Sequence, residues 1–161
     1  MKIERARPED WERVRALRLC ALSDAPDAFA ATLAEEEALG PEAWRERLAG
    51  SLQATFVATA GGEDVGLVVV APYAGRAGCA GLFAMWVAPG RRGSGIADGL
   101  VRAVVDWSRA AGHARVVLDV ADDNARAIGL YARMGFVPTG VRAALPAPRT
   151  HIREHERALE L

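Results

Sequence analysis

One stretch limits the choice of fold more than any other. From Met85 an apolar run, Met85-Trp86-Val87-Ala88, meets Pro89 and Gly90, passes Arg91 and Arg92, and enters a helix-patterned segment through Gly93-Ser94-Gly95-Ile96-Ala97. The order is strand, tight loop, helix start. Gly90, Gly93 and Gly95 let the backbone take positive φ and approach a ligand without Cβ interference, so that successive amides converge on one point. The helix that begins near Ile96 adds its first-turn donors and positive dipole end, a combination suited to a phosphate or pyrophosphate. A nucleoside-triphosphatase loop would need Lys and then Ser or Thr after the last glycine, whereas Gly95 is followed by Ile96 and Ala97; a dinucleotide fingerprint fails at Asp98.

Periodicity places this loop in an alternation of strands and helices. Lys2 to Ala6 reads as a short edge strand, and Pro8 opens a helix whose apolar residues Trp11, Val14, Leu17, Ala21 and Leu22 keep helical spacing. Ala28 to Gly50 reads as two short helical pieces, with Glu35-Glu36-Glu37 expected on a solvated face. Leu52 to Thr59 and Val65 to Val70 form a hairpin about Gly61-Gly62, and Gly81 to Val87 is a third strand delivering the chain to the loop. Ile96, Leu100, Val101, Val104, Val105 and Ser108 share one helix face, with Gly112 as its stop. Val116 to Ala121 is a strand reached through that helix, hence parallel to the strand before the loop. Asn124 caps a further helix that ends at Gly135. The tail from His151 to Leu159 alternates weakly and is expected to be an edge strand.

The 161 residues have the length of a single domain, and residues 1–161 are read as one. A net charge of −1 offers no global basic field to attract nucleic acid or an anionic membrane. Cys20 and Cys79, with His113, His151 and His155, show no metal-ligand spacing, so no metal is expected. The N-terminus lacks the apolar core of a signal peptide and no apolar run is long enough to span a bilayer; a reducing, cytoplasmic setting follows as an expectation.

Two segments carry a family resemblance. Arg92, Gly95 and Ala97 fill the pattern (Gln/Arg)-x-x-Gly-x-(Gly/Ala), and Asn124 to Phe136 matches Asn-x-x-Ala-x-x-Leu-Tyr-x-x-x-Gly-Phe at every named position. In this order they resemble the signatures of the GNAT acetyltransferase superfamily, firmly over Leu52 to Thr139. The resemblance implies an α/β fold with a mixed central sheet, helices on both faces, and two central parallel strands that splay apart to admit the pantetheine arm of acetyl-CoA. It implies that the backbone of Arg92, Gly93, Ser94, Gly95, Ile96 and Ala97 holds the pyrophosphate. Met85 and Val87 would then run alongside pantetheine, Asn124 would touch the cofactor arm, and Tyr131 would protonate the departing thiolate. A tyrosine of ordinary pKa, about 10, carries that proton at neutral pH.

The acceptor half is less legible. A primary amine must lose a proton to attack, yet the strand Gly81 to Val87 lacks the Glu that many members of the family carry there. Asp119, the only charge in an apolar strand, is the candidate base, expected on the face shared with Val117 and Ala121; Glu154 and His155 are further groups near the acceptor mouth. Phe29, Trp44 and Trp86 either line that mouth or belong to the core. The reading is an acetyl-CoA-dependent N-acetyltransferase acting on a small-molecule or peptide amine by direct attack in a ternary complex. A noncatalytic acyl-CoA-binding or sensing domain is the alternative, and a homodimer is compatible with either.

Overall fold

A computed structural model describes residues 1–161. Seven strands, β1 (Lys2–Arg5), β2 (Ala54–Ala60), β3 (Glu63–Pro72), β4 (Cys79–Val87), β5 (Arg115–Ala121), β6 (Val137–Ala144) and β7 (Arg153–Glu160), form one sheet in the order β1-β2-β3-β4-β5-β7-β6. Five helices accompany them: α1 (Trp11–Asp24), α2 (Leu33–Glu37), α3 (Pro41–Ala49), α4 (Ile96–Ala110) and α5 (Ala125–Arg133). None is long and apolar enough to cross a membrane.

Each face of the sheet has its own core. On one, α4 buries the residues that its periodicity picks out, Ile96, Leu100, Val101, Val104, Val105 and Ser108, against Val68, Val70, Leu82, Val116, Leu118 and Val120, and α5 adds Leu130 and Tyr131. Alternation of the strands sends Val57, Leu67 and Trp86 to the opposite face, where α1 and α3 cover them with Val14, Leu17, Ala21, Leu22, Trp44 and Leu48. Phe29, Trp44 and Trp86 therefore belong to this second core.

Two expectations are corrected. The tail strand β7 is not an edge strand: it lies between β5 and β6, antiparallel to both, and Val137–Ala144 forms the edge. Its weak alternation arises because two of its buried side chains, Glu156 and Arg157, are charged and meet partners distant in sequence, Arg76 and Thr139 for Glu156 and the Phe136 carbonyl for Arg157. Nor is the acidic run of α2 wholly solvated. Glu36 is buried and takes Arg18 at 3.2 Å and Arg47 at 2.9 Å, pinning α2 to α1 and α3, as a buried carboxylate requires.

The parallel pair β4–β5 is the feature that shapes the site. The strands pair only through Cys79–Arg115, Ala80–Val116 and Gly81–Val117, then diverge, although β4 continues to Val87 and β5 to Ala121. A bulge helps turn β4 away. Val69 pairs with Phe83 and Leu67 with Trp86, so Val68 faces both Ala84 and Met85, and Ala84 sits at φ +56°. That conformation is uncommon for a residue with a Cβ; bulges supply it where a strand must be re-aimed.

Candidate active site

The open end of the splay is walled by the loop that joins β4 to α4. Gly93 and Gly95 take φ of +79° and +84°, and a Cβ at Gly90, Gly93 or Gly95 would meet nothing within 4 Å, so the loop presents open backbone to its surroundings. The amides of Gly93, Ser94, Gly95, Ile96 and Ala97 donate to no acceptor in the protein. With the N-terminus of the 15-residue helix α4 behind them, they form a cradle for an anion.

The Arg92 side chain does not extend into that cradle. Its Nε donates to the Val87 carbonyl at 2.9 Å and its Nη2 to Asp24 Oδ2 at 2.6 Å, and the same carboxylate oxygen accepts Trp86 Nε1 at 2.9 Å. These two donors, Trp86 first, hold the Asp24 carboxyl below its usual range. The glycine loop is thus tied to the last residue of α1. A second tie joins the two helix ends at the site: Asp98, in the first turn of α4, pairs at 2.6 Å with Arg133 in the last turn of α5.

Beyond the splay's root, Met85 and Val87 stand on the part of β4 that no longer pairs with β5, though it keeps its pairing with β3. Asn124 caps α5, its side-chain oxygen accepting the Ala127 amide at 3.2 Å. Tyr131, in the last turn of α5, packs edge-on to Phe136 with ring centroids 5.8 Å apart. Burial raises its pKa, and no hydrogen bond contributes to the shift, so the phenol remains protonated and its hydroxyl is uncommitted within the protein.

The other face of β5 is different in character. Val117, Asp119 and Ala121 point away from α4 and α5, and the cross-strand register places Glu156 and Glu154 of β7 on the same face, opposite Asp119 and Ala121. The β3–β4 loop reaches across it. Tyr73 stacks on Phe83, with centroids 6.3 Å apart, and donates its hydroxyl to Asp119 Oδ2 at 2.9 Å. Burial and this carboxylate push the Tyr73 phenol up to about 12, which makes it a durable donor. The pair fits because position 81 is glycine: a Cβ there would come within 2.3 Å of the Phe83 ring. Asp119 itself is exposed and so does not bear the burial cost that an isolated strand charge suggests. Arg76 of the same loop reaches Glu156 at 2.7 Å.

Two loops meet beside this face. Arg149, between β6 and β7, donates to the carbonyls of Pro26 at 2.7 Å, Phe29 at 2.9 Å and Ala30 at 2.8 Å. His155 falls on the other face of β7, where its Nδ1 lies 2.8 Å from Asp122, also bound by Arg142. The structure therefore brings Asp119 and Glu154 together and sets His155 apart. Sequence reasoning missed Tyr73, Arg76 and Arg149; each lies in a loop with no local periodicity, and no signal short of the strand order would have found them. A groove of about 500 Å³ beside Gly135, Val137 and Leu159 lies along the far edge of the sheet, away from these groups. No group of three or more His, Cys, Asp and Glu side chains is arranged to hold a metal.

Known proteins resemble this chain in sequence or in fold. N-acetyltransferase family 8 member 2 of Rattus norvegicus is 40% identical over 89 residues, covering 53% of this chain and 39% of that protein. Streptothricin acetyltransferase of Streptomyces lavendulae is 46% identical over 59 residues, or 37% of this chain and 31% of its own length. The chain thus spans well under half the length of these curated relatives. A putative acetyltransferase of Salmonella typhimurium, solved with its cofactor acetyl-CoA, superposes with a TM-score of 0.77 at 20% identity, covering 100% of this chain and 94% of that one, a likeness of fold. The model of the acetyltransferase (GNAT) family matches residues 11–136, a span that holds the glycine loop, the splayed strands and the whole of α5, and the chain belongs to that family.

Proposed function

We propose that the protein transfers an acetyl group from acetyl-CoA to the primary amine of a small molecule or peptide, by direct attack within a ternary complex. The observation that carries this reading is the end of β4–β5 pairing at Gly81 and Val117, which opens a slot between the strands beside the uncommitted amides of Gly93 to Ala97. The residues present fit acetyl-CoA: a glycine loop with open backbone for the pyrophosphate, and a stretch of β4 around Met85 and Val87 that has parted from β5 for the pantetheine arm. When bound there, acetyl-CoA supplies a thioester carbonyl as the electrophile.

The chain's own groups divide the remaining work. Arg92 fixes the loop through Val87 and Asp24 and leaves the anion to the backbone. Asn124 stands at the start of α5 beside the arm, with its cap intact. Tyr131, held protonated by burial, donates a proton to the sulfur as the C–S bond breaks. From the opposite face the amine meets Asp119, whose Oδ2 is oriented by Tyr73 and whose charge attracts the ammonium form.

Thiol release over a panel of primary amines, alongside calorimetry of acetyl-CoA binding, tests the reading. Binding with amine-dependent thiol release supports it. Binding without release from any amine favours an acyl-CoA-binding or sensing domain, and no binding overturns both. The names of the relatives include streptothricin and mycothiol acetyltransferases, so the choice of acceptor rests on the half of the site built from the α1–α2 and β6–β7 loops rather than on the shared cradle.

A further inference from the structure

Three carboxylates share the acceptor face of β5 and β7, and their partners separate them. Glu156 is 1% exposed, pairs with Arg76 at 2.7 Å and accepts the Thr139 hydroxyl at 2.8 Å; Arg76 above all holds it below the ordinary glutamate range. It is a structural charge, unable to take a proton near neutral pH. Asp119 is committed at Oδ2 to Tyr73 and keeps one oxygen for a ligand. Glu154 is half-buried and has no ion pair or side-chain hydrogen bond in the protein. Through the pairing of Ala121 with Glu154 and Asp119 with Glu156, it sits diagonally across from Asp119 on the same face, close enough to feel its charge.

We propose that Glu154 is the group that takes the proton from the acceptor amine, through a water, while Asp119 holds the ammonium beside it. The inference rests on the acetyltransferase reading and names the proton acceptor for it. One N–H proton passes from the ammonium through the water to the Glu154 carboxylate and on to solvent. The freed lone pair then forms the C–N bond as the C–S bond breaks; Tyr131 protonates the sulfur and recovers its proton from the nitrogen as the amide forms.

The surroundings suit Glu154 to this task. Burial, then the charge of Asp119, then that of Asp122, raise its pKa, and Arg149 offsets part of the rise. Asp122 is occupied by Arg142 and His155, and Arg149 by three carbonyls, while β6 offers only Ala143 opposite Glu154. A base whose pKa approaches the working pH accepts a proton from an ammonium more readily than an ordinary carboxylate does. The cost falls on stability. A carboxyl with a raised folded-state pKa destabilises the fold above that pKa, and the penalty disappears below the unfolded value, so Glu154→Gln should leave Tm unchanged or higher at neutral pH and lose that advantage in acid.

The test uses the full chain and two amines of nearly equal size, ethylamine, charged at neutral pH, and 2,2,2-trifluoroethylamine, largely uncharged there. Glu154→Gln should lower single-turnover transfer to ethylamine by about 10²-fold, recovering toward high pH, and leave trifluoroethylamine within a few-fold of wild type. Asp119→Asn should instead raise KM for ethylamine with a smaller change in kcat. Equal losses for both amines in Glu154→Gln, or the pH-dependent loss appearing in Asp119→Asn alone, would overturn the assignment and leave the acetyltransferase reading standing. Failure of wild type to acetylate any amine would instead count against that reading. Carbon-13 titration of the glutamate carboxyls, assigned with Glu154→Gln, needs no acceptor: Glu154 should titrate above the ordinary range and shift downward in Asp119→Asn, and titration in the ordinary range with no response to Asp119 would equally overturn the proposal.

Discussion

The two faces of β5 solve opposite problems with the same strand. On the α4–α5 face, Val116, Leu118 and Val120 are buried, the neighbouring Tyr131 is largely buried among apolar side chains, and the uncommitted donors are backbone amides. On the other face, Asp119, Glu154 and Glu156 gather charge, and Asp119 and Glu156 are held by Tyr73 and Arg76 from a loop distant in sequence. A cradle of amides at a helix terminus serves any ligand with the same pyrophosphate, so local sequence is enough to build it. An acceptor site must select one molecule, and selectivity comes from side chains placed by loops, which tolerate change without loss of the scaffold.

If the halves are separable in this way, substitutions should fall into two sets, one moving acetyl-CoA affinity and one moving acceptor kinetics. The largest effect is expected from Gly95→Val, which forces a branched residue into φ +84° and narrows the cradle. Strain of about 1–3 kcal/mol at that position and obstruction of the pyrophosphate should together reduce acetyl-CoA affinity by at least about tenfold in calorimetry. Unchanged binding in a folded variant would remove the loop from the cofactor site. Tyr131→Phe comes next. The ring still packs on Phe136, so affinity for acetyl-CoA should hold while the single-turnover rate falls by about 10²-fold; an unaltered rate would make Tyr131 a core residue only.

Arg149→Ala sharpens the comparison from the acceptor side. Losing its three bonds to the carbonyls of Pro26, Phe29 and Ala30 frees the α1–α2 loop, and acceptor KM should rise by about tenfold with acetyl-CoA affinity unchanged. A parallel loss of acetyl-CoA affinity would show that the halves are coupled through that loop. The smallest effect is expected from Asp24→Asn, which weakens the bond from Arg92 without changing shape. Affinity for acetyl-CoA should fall by about two- to fivefold, in keeping with a half-exposed charge contact. Because Asp24 ends α1, a change in acceptor KM of equal size in this variant would blur the division that the other three are expected to draw.

Glu36 and Glu154 show how far an isolated carboxylate can be read from sequence. Both lie in segments rich in charge, Glu36 within a run of three and Glu154 in a tail of alternating charges. One is buried between two arginines and the other stands without a partner beside Asp119. Nothing within a few residues of either distinguishes them. The partners are supplied by segments 11 or more positions away, and only packing brings them close.

Sequence by itself determined the glycine loop and the helix behind it, the buried face of α4, the cap at Asn124 and the place of Tyr131 on α5. All of these follow from local rules: a glycine needed for positive φ, a period of 3.6, a side chain bonding an amide three residues on. Tertiary structure decided where β7 goes, and with it which carboxylates meet. A strand's register fixes the face of every residue on it, so placing β7 between β5 and β6 put Glu154 and Glu156 with Asp119 and sent His155 to the other side. The tail could not announce this, since the same alternation serves an edge strand as well as an interior one until its neighbours are known.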